Sequence, residues 1–237
     1  MKPILTLAAK ELRDLFSSAI AYVFIAVFLF LSFWLCFDNI YLVNEATVRP
    51  YFAWATVLFI VFLPSVTMGL WADERKTGTF EILTTLPASD VELVLGKFLA
   101  TLSFLAVILV LTLPLPFSIS FLGELDCGPV IASYLGLLLL GACYLSFGLF
   151  VSSLAKNQIV AFLMTVLCLF LFYVMGEPMV TSVLPKSLVP ILQFLSFSRH
   201  FESLARGVID TRDVAYFLSM TGFFIYLNLI SLNTRKV

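Results

Sequence analysis

Six stretches of this chain carry no Asp, Glu, Lys or Arg for 20 residues or more: 15–37, 50–72, 98–123, 127–155, 157–176 and 214–234. A helix rises about 1.5 Å per residue, so about 20 apolar residues cross the roughly 30 Å hydrocarbon core of a bilayer. The rest of the chain could not supply the polar surface of a water-soluble domain. Of its 237 residues, 61% are hydrophobic and 12% charged, against roughly 45–50% and 25% in soluble domains. The runs are continuous and lack the period-2 alternation of barrel strands, so helices are expected. The first run begins only after Asp14, with no small-residue cleavage site behind it, and reads as a retained span. The expectation is an all-α membrane protein, a single transmembrane domain over 1–237, with six transmembrane helices at about 18–37, 51–71, 97–122, 130–153, 158–176 and 214–233.

Proline and glycine shape two of these spans. Pro114 and Pro116 should kink or break the third near its end. Gly141 and Gly148 lie seven residues apart in the fourth, roughly on one face with Gly128 and Gly136 nearby. They suit close helix packing more than a binding role. Of the four cysteines, Cys36, Cys127, Cys143 and Cys168, none forms a C-x-x-C pair. They read as small apolar filler, with a Cys36–Cys127 bridge the lesser alternative. Placing both termini inside puts nine Lys and Arg on that side against five on the other, so the positive-inside rule favours cytoplasmic termini.

The six runs contain no Asp, Glu, Lys, Arg or His. Proton relays and ion pathways place such groups at membrane depth, and an intramembrane hydrolase needs a carboxylate or imidazole base. The single histidine, His200, lies between spans five and six, too alone to anchor a metal site, and reads as exposed or interfacial. No GxxxxGK[ST] phosphate loop occurs. No catalytic residue and no metal site are expected.

Two segments between spans are longer than a bare connection requires. The first, 71–98, reads WADERKTGTFEILTTLPASDVELVLGKF. Asp73, Glu74, Arg75 and Lys76 mark where the second span leaves the membrane, and Gly78 permits a bend. Thr79 is a plausible cap, with Glu81 in the first turn. Phe80, Leu83 and Leu86, with Ile82 beside them, make a two-turn amphipathic helix that Pro87 ends. Ser89 and Glu92 then form a capping box leading through Lys97 into the third span. Two turns are not stable alone, so the apolar face docks on lipid, on the bundle or on a cytoplasmic partner.

This loop resembles the signature of ABC-2-type permeases, E-R-x-x-G-T-x-E-x-L followed by P-x-S-x-x-E-x-x-x-G-K. The matching residues are Glu74, Arg75, Gly78, Thr79, Glu81 and Leu83, then Pro87, Ser89, Glu92, Gly96 and Lys97. The resemblance implies that Thr79 to Leu86, Phe80 included, is a coupling helix docking on an ATP-binding subunit. It further implies two permease units per transporter, identical or paralogous. No cofactor would be bound by this chain, with ATP and Mg on the partner ATPase. The N-terminal stretch KPILTLAAKELRDLFS places Ile4, Leu5, Ala8, Leu12 and Leu15 on one helical face, suiting an interfacial helix. In the family such a helix borders the ATPase; simple membrane anchoring is the alternative.

The second long segment is 177–213. Leu188, Ile191, Leu192 and Leu195 follow helical spacing over a stretch too short to span, which fits re-entrant or interfacial helices. The family carries re-entrant helices there. The run from Arg199 to Asp213 is similar to the gliding-motility-type (GldF-like) branch, whose members work with a membrane subunit bearing a large extracytoplasmic domain. Arg199, His200, Glu202 and Arg206 are therefore candidates for contact with such a partner or with substrate. Alternatively they form a solvated face with a Glu202–Arg206 ion pair. The resemblance implies a non-catalytic permease of the bacterial inner membrane, coupling ATP hydrolysis on another subunit to export. The alternatives are a mechanotransmission complex acting on an extracytoplasmic protein without moving solute, and a channel or scaffold independent of ATP.

Overall fold

The computed structural model describes residues 2–43, 47–78, 89–121, 126–183, 185 and 187–234, and all its described regular elements are helices. In chain order they are α1 (Lys2–Ser17), α2 (Ala19–Val43), α3 (Arg49–Thr67), α4 (Gly69–Lys76), α5 (Asp90–Leu111), α6 (Pro114–Ser120), α7 (Cys127–Leu154), α8 (Gln158–Val174), α9 (Pro178–Thr181), α10 (Val189–Leu195), α11 (Phe197–Ala205) and α12 (Thr211–Asn233). Five helical stretches are long and apolar enough to cross a membrane: 21–41, 49–76, 90–120, 127–154 and 211–233. The remaining apolar helix, α8, has 17 residues. The expected coupling helix, with Thr79, Phe80, Glu81, Leu83 and Pro87, lies outside the described residues.

The bundle is built around α7. It packs most extensively against α12 and also against α3, α5, α8 and α11, and 72% of its apolar window is buried, against 17% for α2. Two glycines let neighbours approach α7. A Cβ at Gly141 would strike Leu105 of α5, and one at Gly148 would strike Thr67 of α3. The expected packing role of these residues is what the structure displays. Peripheral α2 turns Ala21, Ile25, Phe28, Ser32 and Cys36 inward at helical spacing. Its Tyr22, Val27, Phe30 and Trp34 point outward, as on a helix whose other face meets lipid. All four cysteines are free, with Cys36 buried and Cys127 exposed.

The chain runs up and down between two ends. The near end carries α1, the roots of loop 79–88, and the α7–α8 turn, where the Ser153 hydroxyl donates to Ser231 Oγ at 2.9 Å. At the far end, Tyr51 donates to Thr112 Oγ1 at 2.9 Å, and Thr112 and Tyr134 share a 3.2 Å hydrogen bond. This ties α3 and α7 to the break between α5 and α6. That break falls at Thr112–Leu113, immediately before Pro114, because prolines at 114 and 116 cannot donate to the preceding turn. The Ser89–Glu92 capping box forms as expected. The Ser89 N–H donates to Glu92 Oε2 at 3.0 Å, and the Glu92 N–H donates to Ser89 Oγ at 3.3 Å.

The N-terminal helix is present, and Ala8, Leu12 and Leu15 of its expected face turn inward. Leu5 is 63% exposed, while Leu7 packs inward against Gly96 and Glu11 is buried. Between spans, α10 and α11 meet at Ser196 as two short helices. Leu188 and Ile191 of the expected apolar face are exposed.

Candidate functional site

The near end contains a charge that almost no soluble or membrane core tolerates alone. Lys97, on the second turn of α5, is 1% exposed. Its ammonium has three N–H donors to place. Nζ lies 2.6 Å from Glu74 Oε1 and 3.3 Å from Glu11 Oε2, and it sits over the Trp71 ring at 5.0 Å from the centroid. Two carboxylates and an aromatic face thus compensate one buried cation. The three charged groups come from α1, α4 and α5, so the knot clamps the N-terminal helix onto both segments that flank loop 79–88.

A local break in the helix ladder puts α4 in position. The Ser152 hydroxyl of α7 donates to the Met68 carbonyl at 2.9 Å and accepts from the N–H groups of Trp71 at 3.2 Å and Ala72 at 3.4 Å. A side chain inserted into the i→i−4 ladder separates α3 from α4 and re-satisfies the freed backbone groups. The turn beyond the break then presents Trp71 and Glu74 to Lys97. After Thr77 the chain leaves through Gly78 at φ 74°, a left-handed conformation that favours glycine.

The structure joins two of the sequence-derived residues directly, Glu74 with Lys97, and pairs Ser89 with Glu92 one helical face away. Arg75 follows Glu74 on α4, and Gly78 makes the bend. Sequence reasoning missed Glu11, Trp71 and Ser152. The face drawn for α1 left Glu11 unplaced; the available signal was a lone Glu beside Ile4 and Leu15, at the edge of that apolar face.

At the far end, Arg199 and Glu202 are 3.5 Å apart, and Glu202 and Arg206 are 3.9 Å apart. The expected i, i+4 pair is therefore present, and loose. His200, expected to be exposed or interfacial, is half-buried and held at both ring nitrogens. Nδ1 is 2.6 Å from Asp213 Oδ1 and Nε2 is 2.9 Å from the Phe194 carbonyl oxygen, with the ring stacked on Tyr216 at 3.8 Å. The physical reason is Asp213, a carboxylate buried in the first turn of α12, which takes a second hydrogen bond from Ser203. Ser203 donates to Asp213 and not to the imidazole, so these side chains form a tether between α11 and α12, not a nucleophile and its base.

The geometry is that of a helical membrane bundle with a clamped joint where its second and third spans enter a connecting loop. No match was found among curated proteins. The family model described as ABC-2 family transporter protein matches residues 5–232, and the chain belongs to that family.

Proposed function

We propose that this permease couples ATP hydrolysis on a separate ABC ATPase subunit to export of a substrate, through segment 79–86 acting as the coupling helix. The observation that carries the reading is the Lys97 knot. Both flanks of the segment are locked to each other by Lys97–Glu74 and to the N-terminal helix by Lys97–Glu11. A displacement delivered at the segment would then move α4 and α5 together, where a compliant joint would absorb it. In this reading α8, continued through Gly176, is the fifth of six spans, and α1 lies along the inner membrane surface. Both termini are cytoplasmic, and two permease units work with two ATPases that carry the ATP and Mg. The chain then sits in a bacterial inner membrane as a member of the gliding-motility-type branch, with a second membrane subunit bearing an extracytoplasmic domain.

Co-purification of the ATPase with Glu81→Arg and Leu83→Asp variants tests this. Each should weaken the association by roughly 1–3 kcal/mol, the usual loss at an interface anchor. Unchanged recovery of the ATPase with both variants would remove the coupling assignment. Stimulation of the ATPase by candidate solutes in vesicles, compared with stimulation by an outer protein alone, separates export from mechanotransmission.

A further inference from the structure

A cavity of about 420 Å³ opens at the far end, between the start of α3, the end of α8 and α11. Small-ligand pockets span roughly 300–1,000 Å³. Its charged lining is Arg49, Arg199 and Arg206 with Glu177 and Glu202. These charges are only partly spent on one another. Arg199 is committed: Nε donates to the Gly176 carbonyl at 2.9 Å and Nη1 lies 3.5 Å from Glu202. Close packing fixes it there, since a Cβ at Gly176 would strike Ser196 and the Arg199 side chain. Arg206 reaches Glu202 only at 3.9 Å. Arg49 and Glu177 take part in none of the ion pairs among the described residues.

The cavity therefore offers two guanidiniums with uncommitted donors and, in the same lining, the carboxylate of Glu177. Guanidinium donors match the geometry of phosphate oxygens, and a carboxylate suits an ammonium that can donate hydrogen bonds. The level in the bilayer is marked by Arg49 at the first residue of α3 and by Trp54, 44% exposed, about one and a half turns further on. Arginine and tryptophan together mark the polar boundary of a membrane. Ala53, Phe201 and Ala205 complete an apolar wall.

We propose that this cavity seats the headgroup of a phospholipid carrying a primary amine. The phosphodiester lies on Arg49 and Arg206 and the amine at Glu177, with Arg199 as a positioning residue. The inference needs the bilayer setting but not the ATPase.

The test uses the full-length chain purified in detergent, with bound lipid read by native mass spectrometry after addition of phosphatidylethanolamine, phosphatidylcholine or inorganic phosphate. Phosphatidylethanolamine should be retained over phosphatidylcholine, whose quaternary ammonium donates no hydrogen bond. The exposed pair Arg49→Gln and Arg206→Gln should lose at least about tenfold in affinity, as for the loss of a charge-assisted hydrogen bond. Glu177→Gln should erase the preference between the two lipids while keeping both bound. Equal retention by wild type and the double arginine variant overturns the proposal. Displacement of lipid by inorganic phosphate also overturns it, because the site would then be one for free anions. No ATPase is present in the measurement, so its outcome is separate from that of the coupling experiment.

Discussion

The Lys97 knot at the near end and the Arg199–Glu202–Arg206 face at the far end hold their charges in opposite ways. At the near end Lys97 is 1% exposed and faces two carboxylates, one at 2.6 Å. At the far end the side chains of Arg199, Glu202 and Arg206 are 38%, 52% and 60% exposed, and their contacts stretch to 3.5 and 3.9 Å. A charge taken out of water persists only when its partners offset the lost hydration, so the near-end knot must stay whole or be broken at a large cost. Charges left in water gain little from one another and exchange partners easily. The near end is built to hold its partners fixed, the far end to let them exchange.

The largest test of this contrast is Lys97→Met. It removes the cation shared by buried Glu11 and half-buried Glu74, and the expected loss of stability is about 3–5 kcal/mol, read from thermal unfolding of the purified chain. Adding Glu11→Gln and Glu74→Gln to the same variant should recover much of that loss. A single variant as stable as wild type would mean that the knot is hydrated and does not clamp. A smaller effect is expected at the far end from Asp213→Asn, which weakens the hold on both His200 and Ser203. A loss of about 1–3 kcal/mol by the same measurement would match a partly buried hydrogen-bonded tether. No loss would show that α11 is held by packing alone. The smallest effect belongs to Glu202→Gln, expected within about 1 kcal/mol of wild type. A change as large as that of Lys97→Met would erase the distinction between the two ends.

Much of the architecture was legible in one dimension because each device involved is local. Charge-free length marks the long apolar helices. Ser89 and Glu92 lie three residues apart, the distance a capping box needs. Pro114 interrupts its own turn whatever surrounds it. The candidate site was legible only where its members sit within one motif, as Glu74 and Lys97 do. Glu11 is 86 positions from Lys97, and Ser152 acts on Trp71 from 81 positions away. Neither carries a local mark of its partner. The partner of His200 was hidden for the same reason: Asp213 reads in sequence as an ordinary acidic residue at the start of a helix.

Hydrophobic length and local turn chemistry thus determined, from the chain alone, that this protein is helical, membrane-borne and bent at stated places, because those properties depend on neighbours within a few residues. That Glu11 joins the buried face of α1, which carboxylates share the ammonium of Lys97, and which arginines surround a common cavity were decided only when α7 gathered the other helices around it. Burial removes water from a charge, and only the packed bundle specifies which distant group replaces that water.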